Sequence, residues 1–289
     1  MAQMKNDNRE RKAGRRVDLA TVGGLALAVV GILGGLVLEK GRVQDVAQVT
    51  AALIVLGGTL GAVMVTTPFS LLSRAVRKLP QLFFESARPP GETIDEIIGY
   101  AAKARKNGIV SLEDETDAIE DPFLRKALNL AVDGADLQEL RRMMELEIRL
   151  EEQRGEAEAR VYEAAGGYAP TIGIIGAVLG LIQVMKHLAN IDEVGRGIAV
   201  AFVATVYGVG SANLFFLPAG SKLRSRLQAA IDLRELILEG VLSIAEGLNP
   251  KLIRLKLEAY EPSDAPEKTT RRNNAASLAA ARAEAAAVR

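Results

Sequence analysis

The sequence predicts an all-α protein that crosses a membrane four times and carries helical extensions outside the membrane. Four stretches without Asp, Glu, Lys or Arg are long enough to span a bilayer, which takes about 20 mostly apolar residues. These runs are residues 19–38, 46–73, 164–185 and 197–221. Mean hydropathy is only +0.14, because 25% of the residues are charged. Those charges lie between the runs, so the average conceals four membrane helices.

The first run is predicted to be a retained helix and not a cleaved signal peptide. It is longer than the apolar core of a usual signal peptide. Glu39 and Lys40 follow it in place of a small-residue cleavage site.

Basic residues next to the runs predict the orientation, because Lys and Arg are retained on the cytoplasmic side of a membrane. They cluster before the first run, after the second and after the fourth, at Lys5, Arg9, Arg11, Lys12, Arg15, Arg16, Arg74, Arg77, Lys78, Lys222, Arg224 and Arg226. The loops at 39–45 and 186–196 are short and balance acids against bases. We therefore expect both termini in the cytoplasm and two small loops facing outward.

Six segments follow from these boundaries and alternate between cytoplasm and membrane. They are a basic cytoplasmic N-terminus at 1–18, transmembrane helices 1 and 2 at 19–73, a cytoplasmic helical segment at 74–163, transmembrane helices 3 and 4 at 164–221, a second cytoplasmic helical segment at 222–260 and a mobile Ala-rich tail at 261–289. The tail combines prolines, charges and alanines, a composition that favours disorder.

The first cytoplasmic segment carries helical patterns. Apolar residues at three- and four-residue spacing predict helices at 91–107 and 124–131. Asp136, with Glu139 three residues later, matches a helix N-cap. A helix that begins there can run directly into the third membrane span, with a bend expected at the pair Gly166 and Gly167.

The second cytoplasmic segment is amphipathic at 223–247 and again, more briefly, at 251–260. Two membrane helices thus continue into the cytoplasm. Together they form a base on which a partner protein could act.

The sequence carries no pattern typical of an enzyme. The single histidine, His187, lies beside Lys186 at the outer end of the third span, where we interpret it as an interfacial polar residue. The chain has no cysteine and therefore no thiolate metal site. It also lacks the glycine-rich signatures of nucleotide binding. We expect no catalytic residue, no cofactor, no metal and no nucleic-acid partner.

Small residues recur in register along the membrane runs. The GxxxG pairs are Gly31/Gly35, Gly57/Gly61 and Gly176/Gly180, and one face of the fourth helix carries Ala201, Thr205, Gly208 and Ala212. Small faces let helices approach closely in lipid. Two interpretations stay open: packing within the chain, or a face that lines an oligomeric pore or grips a partner helix.

No ionisable side chain lies at depth in any of the four runs. A proton or cation pathway normally uses an intramembrane carboxylate. If the protein conducts protons, a partner must supply the acid.

Two segments carry a resemblance to a known family. PTIGIIGAVLGLIQVMKHL and, after a short acidic loop, GIAVAFVATVYGVGSANLFFLPAGSKL resemble the last two membrane helices of the MotA branch of the MotA/TolQ/ExbB ion-channel family. The number of spans and the size of the cytoplasmic segments match that branch over residues 17–260. TolQ and ExbB have three spans, so the additional N-terminal helix favours MotA.

The resemblance implies a flagellar stator in the bacterial inner membrane. Subunits of this type form a ring, a homo-oligomer with five copies in the family, around two copies of a single-span MotB-type partner. The partner's membrane aspartate carries the ion, and its periplasmic domain grips peptidoglycan. Ion flow through the ring in the lipid bilayer would turn or flex its cytoplasmic face against the rotor protein FliG.

The resemblance also implies roles for particular residues. The family's two functional prolines correspond to Pro170 and Pro218, which would couple ion flow to conformational change and torque. Its rotor-facing charges match the stretch AKARKNGIVSLEDE at Arg105 and Glu113. Glu147 is a weaker match.

The coupling ion can be predicted from the polarity of the third and fourth spans. Sodium-using relatives have a threonine where this chain has Ala177, while Thr205 is retained. We expect these two residues to line the ion pathway. A desolvated sodium ion needs several oxygen ligands, so the missing hydroxyl favours protons.

Two other functions remain as alternatives. One is a TolQ/ExbB-like energiser that drives an envelope or transport process through a different single-span partner. The other is a membrane scaffold whose cytoplasmic helices recruit proteins without using ion flow.

Overall fold

A computed structural model describes residues 16–85 and 88–260 of the chain. The elements in this part are helices, apart from one antiparallel pair of two-residue strands, β1 (Arg16–Val17) and β2 (Phe84–Glu85). Four helices are long and apolar enough to cross a membrane: Leu19–Leu38, Val43–Thr66, Leu137–Lys186 and Ile191–Ala245. The predicted all-α fold with four membrane helices is confirmed. The predicted N-terminal segment up to residue 15 and the tail at 261–289 lie outside the described residues.

The described residues divide into two compact units. The first contains residues 16–85, 88 and 141–235, and therefore all four predicted membrane runs. The second contains residues 89–140 and 236–260, which belong to the predicted cytoplasmic segments.

The first membrane helix, α1, occupies Leu19–Leu38, the residues predicted for it. Asp18 caps its N-terminus, where its carboxylate accepts from the backbone N–H of Thr21 at 3.1 Å. No residue of α1 is buried by the rest of the described chain. A helix this apolar with this much exposure is suited to contact lipid or another subunit.

The second membrane helix ends at Thr66 and does not extend through the whole uncharged run at 46–73, which corrects the predicted extent of that run. A short helix, α2 (Val43–Val46), precedes α3 (Val49–Ala52), a π-helical turn (Leu53–Gly57) and α4 (Gly58–Thr66). Helix α4 ends there because Thr67 precedes Pro68 and takes an extended conformation, with φ −129° and ψ 127°.

The residues after Pro68 form a separate amphipathic helix, α5 (Phe69–Lys78), and a short helix, α6 (Pro80–Phe83). Helix α5 packs against the third membrane helix. The hydroxyl of Tyr162 donates to the carbonyl O of Ala75 at 2.8 Å in a buried position.

The helix predicted to start at Asp136 is present and reaches through the third span as α10 (Leu137–Lys186). The Asp136 carboxylate accepts from the backbone N–H groups of Gln138 and Glu139, as expected of an N-cap. The helix continues without interruption through Gly166 and Gly167. The bend at that pair stays a prediction.

The fourth span and its predicted cytoplasmic continuation form a second long helical element. It consists of α11 (Ile191–Ser211), a π-helical turn (Ala212–Phe216) and α12 (Leu217–Ala245). The first unit is held together by a buried cluster where α10 and α12 meet α4, α5 and α6: Val63, Ala75, Leu82, Ala159, Val161, Tyr162, Ala165, Ala219 and Leu223.

The second unit contains the predicted cytoplasmic helices, here α7 (Pro90–Asn107) and α9 (Pro122–Val132). A 3₁₀ turn (Ile109–Leu112) and α8 (Glu113–Thr116) connect them. The unit is completed by the end of α12 and by α13 (Pro250–Leu257).

Tight packing joins the helices of the second unit. Gly240 of α12 lies against α7, since a Cβ atom there would be 2.8 Å from Cγ2 of Ile97. Gly108 ends α7 with a φ of +86°, a backbone conformation that glycine adopts without strain.

Candidate functional site

The third and fourth spans cross at backbone contact. A Cβ atom on Gly208 would lie 2.6 Å from the carbonyl O of Ala169 and 3.0 Å from Cα of Gly173. Further along, a Cβ atom on Gly180 would lie 2.8 Å from both the backbone N of Ala201 and the carbonyl O of Gly197. Any larger side chain at these glycines would force the helices apart.

These contacts decide between the two interpretations for part of the small-residue pattern. Gly180, Ala201 and Gly208 pack within the chain, where they join α10 to α11. The pairs on the first two membrane helices differ: a Cβ atom at Gly31, Gly35, Gly57 or Gly61 would meet no other part of the described chain within 4 Å. Those faces remain open to lipid, a second copy or a partner helix.

Pro170 lies next to this crossing, and one contact links it to the second predicted proline, Pro218. Pro170 follows Ala169 in α10 and, having no N–H, leaves the carbonyl O of Gly166 without its helical donor. Leu217, the residue before Pro218, packs on Gly166, where a Cβ atom would lie 2.6 Å from Cδ2 of Leu217. The structure therefore brings the two interrupted helical turns side by side.

Pro218 interrupts the backbone ladder of the fourth helix in the same way. It cannot donate to the carbonyl O of Leu214, and the turn directly before it is widened into the π helix Ala212–Phe216. The side chain of Asn213 donates to the carbonyl O of Val209 at 2.9 Å. Widened turns of this kind inside helices frequently occur at functional sites.

Pro218 is exposed and faces a mostly apolar cleft of about 330 Å³. Helix α1, α6 and the start of α12 enclose the cleft; its lining includes Ala20, Gly24, Phe83, Phe215, Pro218 and Lys222. The ring of Pro218 has open space beside it. The next two residues, Ala219 and Gly220, are buried, so the open side of the helix is limited to the proline itself.

The residues predicted to line an ion pathway, Ala177 and Thr205, are half-buried. The hydroxyl of Thr205 donates to the carbonyl O of Ala201 at 3.2 Å, so its proton is used within its own helix and only the oxygen lone pairs remain. Ala177 offers no side-chain oxygen. No group of three His, Cys, Asp or Glu residues among those the structure describes could hold a metal ion. Whether an ion passes these residues stays a prediction.

A cluster of charges that the sequence analysis did not single out lies at the end of the same cleft. The carboxylate of Asp18 binds the ammonium group of Lys222 at 2.6 Å and the guanidinium group of Arg226 at 2.7 Å. The hydrogen bond from Lys222 is the largest influence that holds the pKa of Asp18 well below its usual range, followed by the backbone N–H of Thr21. The N-cap position of Asp18 was detectable in the sequence, but its partners lie some 200 residues away and were not.

The predicted rotor-facing residues lie at the α7–α8 turn of the second unit. Arg105 is exposed in the last turn of α7, and Glu113 is exposed at the first position of α8. An ion pair of 2.5 Å between Lys103 and Glu115 closes the turn between them. The structure thus brings Arg105 and Glu113 to one ordered turn. Glu147 is half-buried on α10, in the first unit.

Two family models match the chain. One, the MotA/TolQ/ExbB proton channel family, covers residues 115–236. The other, motility protein A N-terminal, covers residues 22–105. The second match includes the first two membrane helices, which favours the motility branch over the TolQ and ExbB branches.

Curated relatives match most of the chain. Motility protein A of Bacillus subtilis is 36% identical over 252 residues, which are 86% of this chain and 92% of that protein. Chemotaxis protein PomA of Vibrio alginolyticus is 32% identical, over 84% of this chain and 95% of that protein.

Solved structures of the same kind are similar in fold. The C. jejuni MotAB structure matches with a TM-score of 0.83 and 34% identity, over 86% of this chain and 98% of the matched chain. The flagellar MotAB stator complex from Bacillus subtilis matches with a TM-score of 0.78 and 35% identity, over 84% and 96%.

Proposed function

The chain belongs to the MotA/TolQ/ExbB proton channel family, and we propose that it is a flagellar stator subunit that couples ion flow across the bacterial inner membrane to torque on the rotor. The observation that carries the proposal is the likeness over most of the chain to motility protein A and to MotAB structures. The match to the motility protein A N-terminal model supports this function over a TolQ/ExbB-like energiser.

The partner in this proposal is a single-span MotB-type subunit that supplies an aspartate within the membrane. The absence of ionisable side chains at depth in the four runs supports it, because an ion pathway needs a group that binds the ion. The solved relatives are MotAB complexes. Several copies of the chain, five in this proposal, surround the partner in the lipid bilayer.

The coupling step is proposed to occur at the level of Pro170 and Pro218. Moving one charge through about 100 mV releases roughly 2.3 kcal/mol, which suffices to shift a conformational equilibrium but not to unfold a helix. A helix that already lacks backbone hydrogen bonds at a proline can change direction at such a cost. The glycine crossing next to Pro170 keeps α10 and α11 together during this change.

The helical continuations of the third and fourth spans carry the motion toward the cytoplasm. Helices α10 and α12 extend from the proline level without a break in their helical structure. In the proposed motor, Arg105 and Glu113 meet charged groups of FliG. Their exposure at one ordered turn supports that role.

The test is swimming in a strain that lacks this gene, with filaments counted by electron microscopy. We expect paralysed cells with a normal number of filaments, because assembly does not need torque. Expression of the unsubstituted chain should restore swimming, whereas Pro170→Leu and Pro218→Leu should not, at equal protein levels in the membrane.

Two results would contradict the proposal. Normal swimming in a strain without a second stator set would remove the flagellar function and favour the envelope energiser. Full swimming with both proline substitutions would favour a scaffold that does not use ion flow. A matched control is Pro250→Leu at the first position of α13, where proline replaces no helical hydrogen bond.

A further inference from the structure

Asp18 lies where three parts of the first unit meet. It caps α1, its backbone N–H donates to the carbonyl O of Phe83 at 2.8 Å, and its carboxylate binds two cations of α12. Its side chain is only 10% exposed. The other terminal nitrogen of the Arg226 guanidinium group, Nη1, donates to the carbonyl O of Phe84 at 2.6 Å. The start of α1 and the segment after α6 are thereby bound to the same stretch of α12.

The cations that Asp18 binds follow Pro218 on one face of α12. Lys222 and Arg226 come four and eight residues after Pro218, a spacing that places all three on the same side of a helix. Lys222 also lines the cleft that Pro218 faces. The contact with Asp18 therefore begins one helical turn beyond the interrupted ladder.

We infer that Asp18 is a positioning residue for torque generation: by holding Lys222 and Arg226 it sets the point about which α12 turns when the helix changes direction at Pro218. The inference rests on the proposed stator function. Without this contact, a bend at Pro218 would move the first turns of α12 locally. With it, those turns are held and the displacement passes along the rest of the helix.

A purely structural role of Asp18 makes a different prediction. Removing the mostly buried carboxylate of Asp18 leaves the charges of its two half-buried partners without compensation and destabilises the protein. If stability were the only role, fewer subunits would accumulate in the membrane, but each stator that assembled would deliver normal torque. A positioning role lowers the torque of each assembled stator.

The test measures torque per stator in tethered cells of the deletion strain. When the chain is expressed gradually, rotation speed rises in discrete steps, one for each stator that joins the motor. We expect Asp18→Asn to reduce the height of the steps at high load by about twofold or more, since the neutral amide cannot compensate the two half-buried cations Lys222 and Arg226. Asp18→Glu, which keeps the charge, should recover most of the height.

The matched control is Glu156→Gln, the same change at an exposed pair within one helix, where Arg160 lies at 2.7 Å. It should give steps of full height. Full-height steps with Asp18→Asn, or no recovery with Asp18→Glu, would overturn the inference.

Membrane fractions from the same cells report whether each variant accumulates. If Asp18→Asn does not accumulate in the membrane, the variants Lys222→Gln and Arg226→Gln test the inference instead, because each leaves Asp18 with one cation. Reduced step heights in both variants support the inference. Full step heights in both variants overturn it. If the unsubstituted chain produces no steps at all, the proposed function fails and not the role of Asp18.

Discussion

At the scale of single residues, the first unit depends on glycines whose backbone atoms touch a neighbouring helix. Gly173 and Gly208 approach so closely that a Cβ atom on either would lie about 3 Å from the other's Cα. Between membrane helices there is no hydrophobic driving force, so this close packing supplies the association energy. The pattern of small residues was visible in the sequence. Which of the glycines meet each other required the structure.

Gly208→Val tests this contact. The added side chain would overlap the carbonyl O of Ala169, which lies 2.6 Å from the Cβ position, and the Cα of Gly173. Both are backbone atoms, which cannot rotate away. We expect a loss of about 1–3 kcal/mol in the free energy of unfolding, the usual cost of overpacking. It can be measured as a lower midpoint of thermal unfolding in detergent micelles.

Gly210→Val is the control for Gly208→Val, because a Cβ atom at Gly210 meets nothing within 4 Å in the described chain. It carries the same change in helix propensity on the same helix. Equal midpoints for the two variants would show that the crossing does not contribute to stability.

At the scale of elements, the start and end of a helix could be predicted from the sequence only where nearby residues determine them. Helix α10 begins after an Asp136 cap and contains no strong breaker before the third span, so local pattern sufficed. The run at 46–73 has no charges to mark a boundary, yet Pro68 divides it. A hydropathy pattern does not detect such a break. The contact of Asp18 with α12 depends on tertiary structure alone.

The α7–α8 turn is the element for which a functional prediction can be made at this scale. Arg105 and Glu113 are exposed there, on a turn that the Lys103–Glu115 ion pair closes. Arg105→Glu should reduce swimming speed while the protein level stays normal, because reversing a charge at an interface introduces repulsion with its partner. Tracking of swimming cells together with immunoblots of the membrane fraction measures both.

Lys251→Glu is the matched control for Arg105→Glu, since Lys251 is an exposed cation of α13 in the same second unit. It should leave swimming unchanged. If a compensating charge reversal on FliG restores the speed of Arg105→Glu, the two groups interact. If both lysine and arginine variants slow the cells equally, the effect comes from net charge and not from this turn.

At the scale of the whole molecule, the proposed ion pathway needs groups that this chain does not place in its membrane runs. Its four runs contain no ionisable side chain at depth, and α1 has no residue buried by the rest of the described chain. Exposed glycine pairs on the first two membrane helices add faces suited to close contact. These features fit a subunit whose structure is completed by further copies and by a partner that brings the carboxylate.

The identity of the coupling ion can be predicted from the same lack of ion-binding side chains in the membrane runs. Ala177 has no side-chain oxygen, and the Thr205 hydroxyl, which donates a hydrogen bond to the carbonyl O of Ala201, has one, so these two predicted pathway residues offer a single side-chain oxygen to a desolvated sodium ion. A selective sodium site replaces the hydration shell with several oxygens. A proton needs only the partner's carboxylate. Swimming should therefore persist in medium without sodium and stop when a protonophore collapses the proton gradient. Paralysis on sodium removal with the proton gradient intact would contradict this prediction and place further oxygen ligands on the partner.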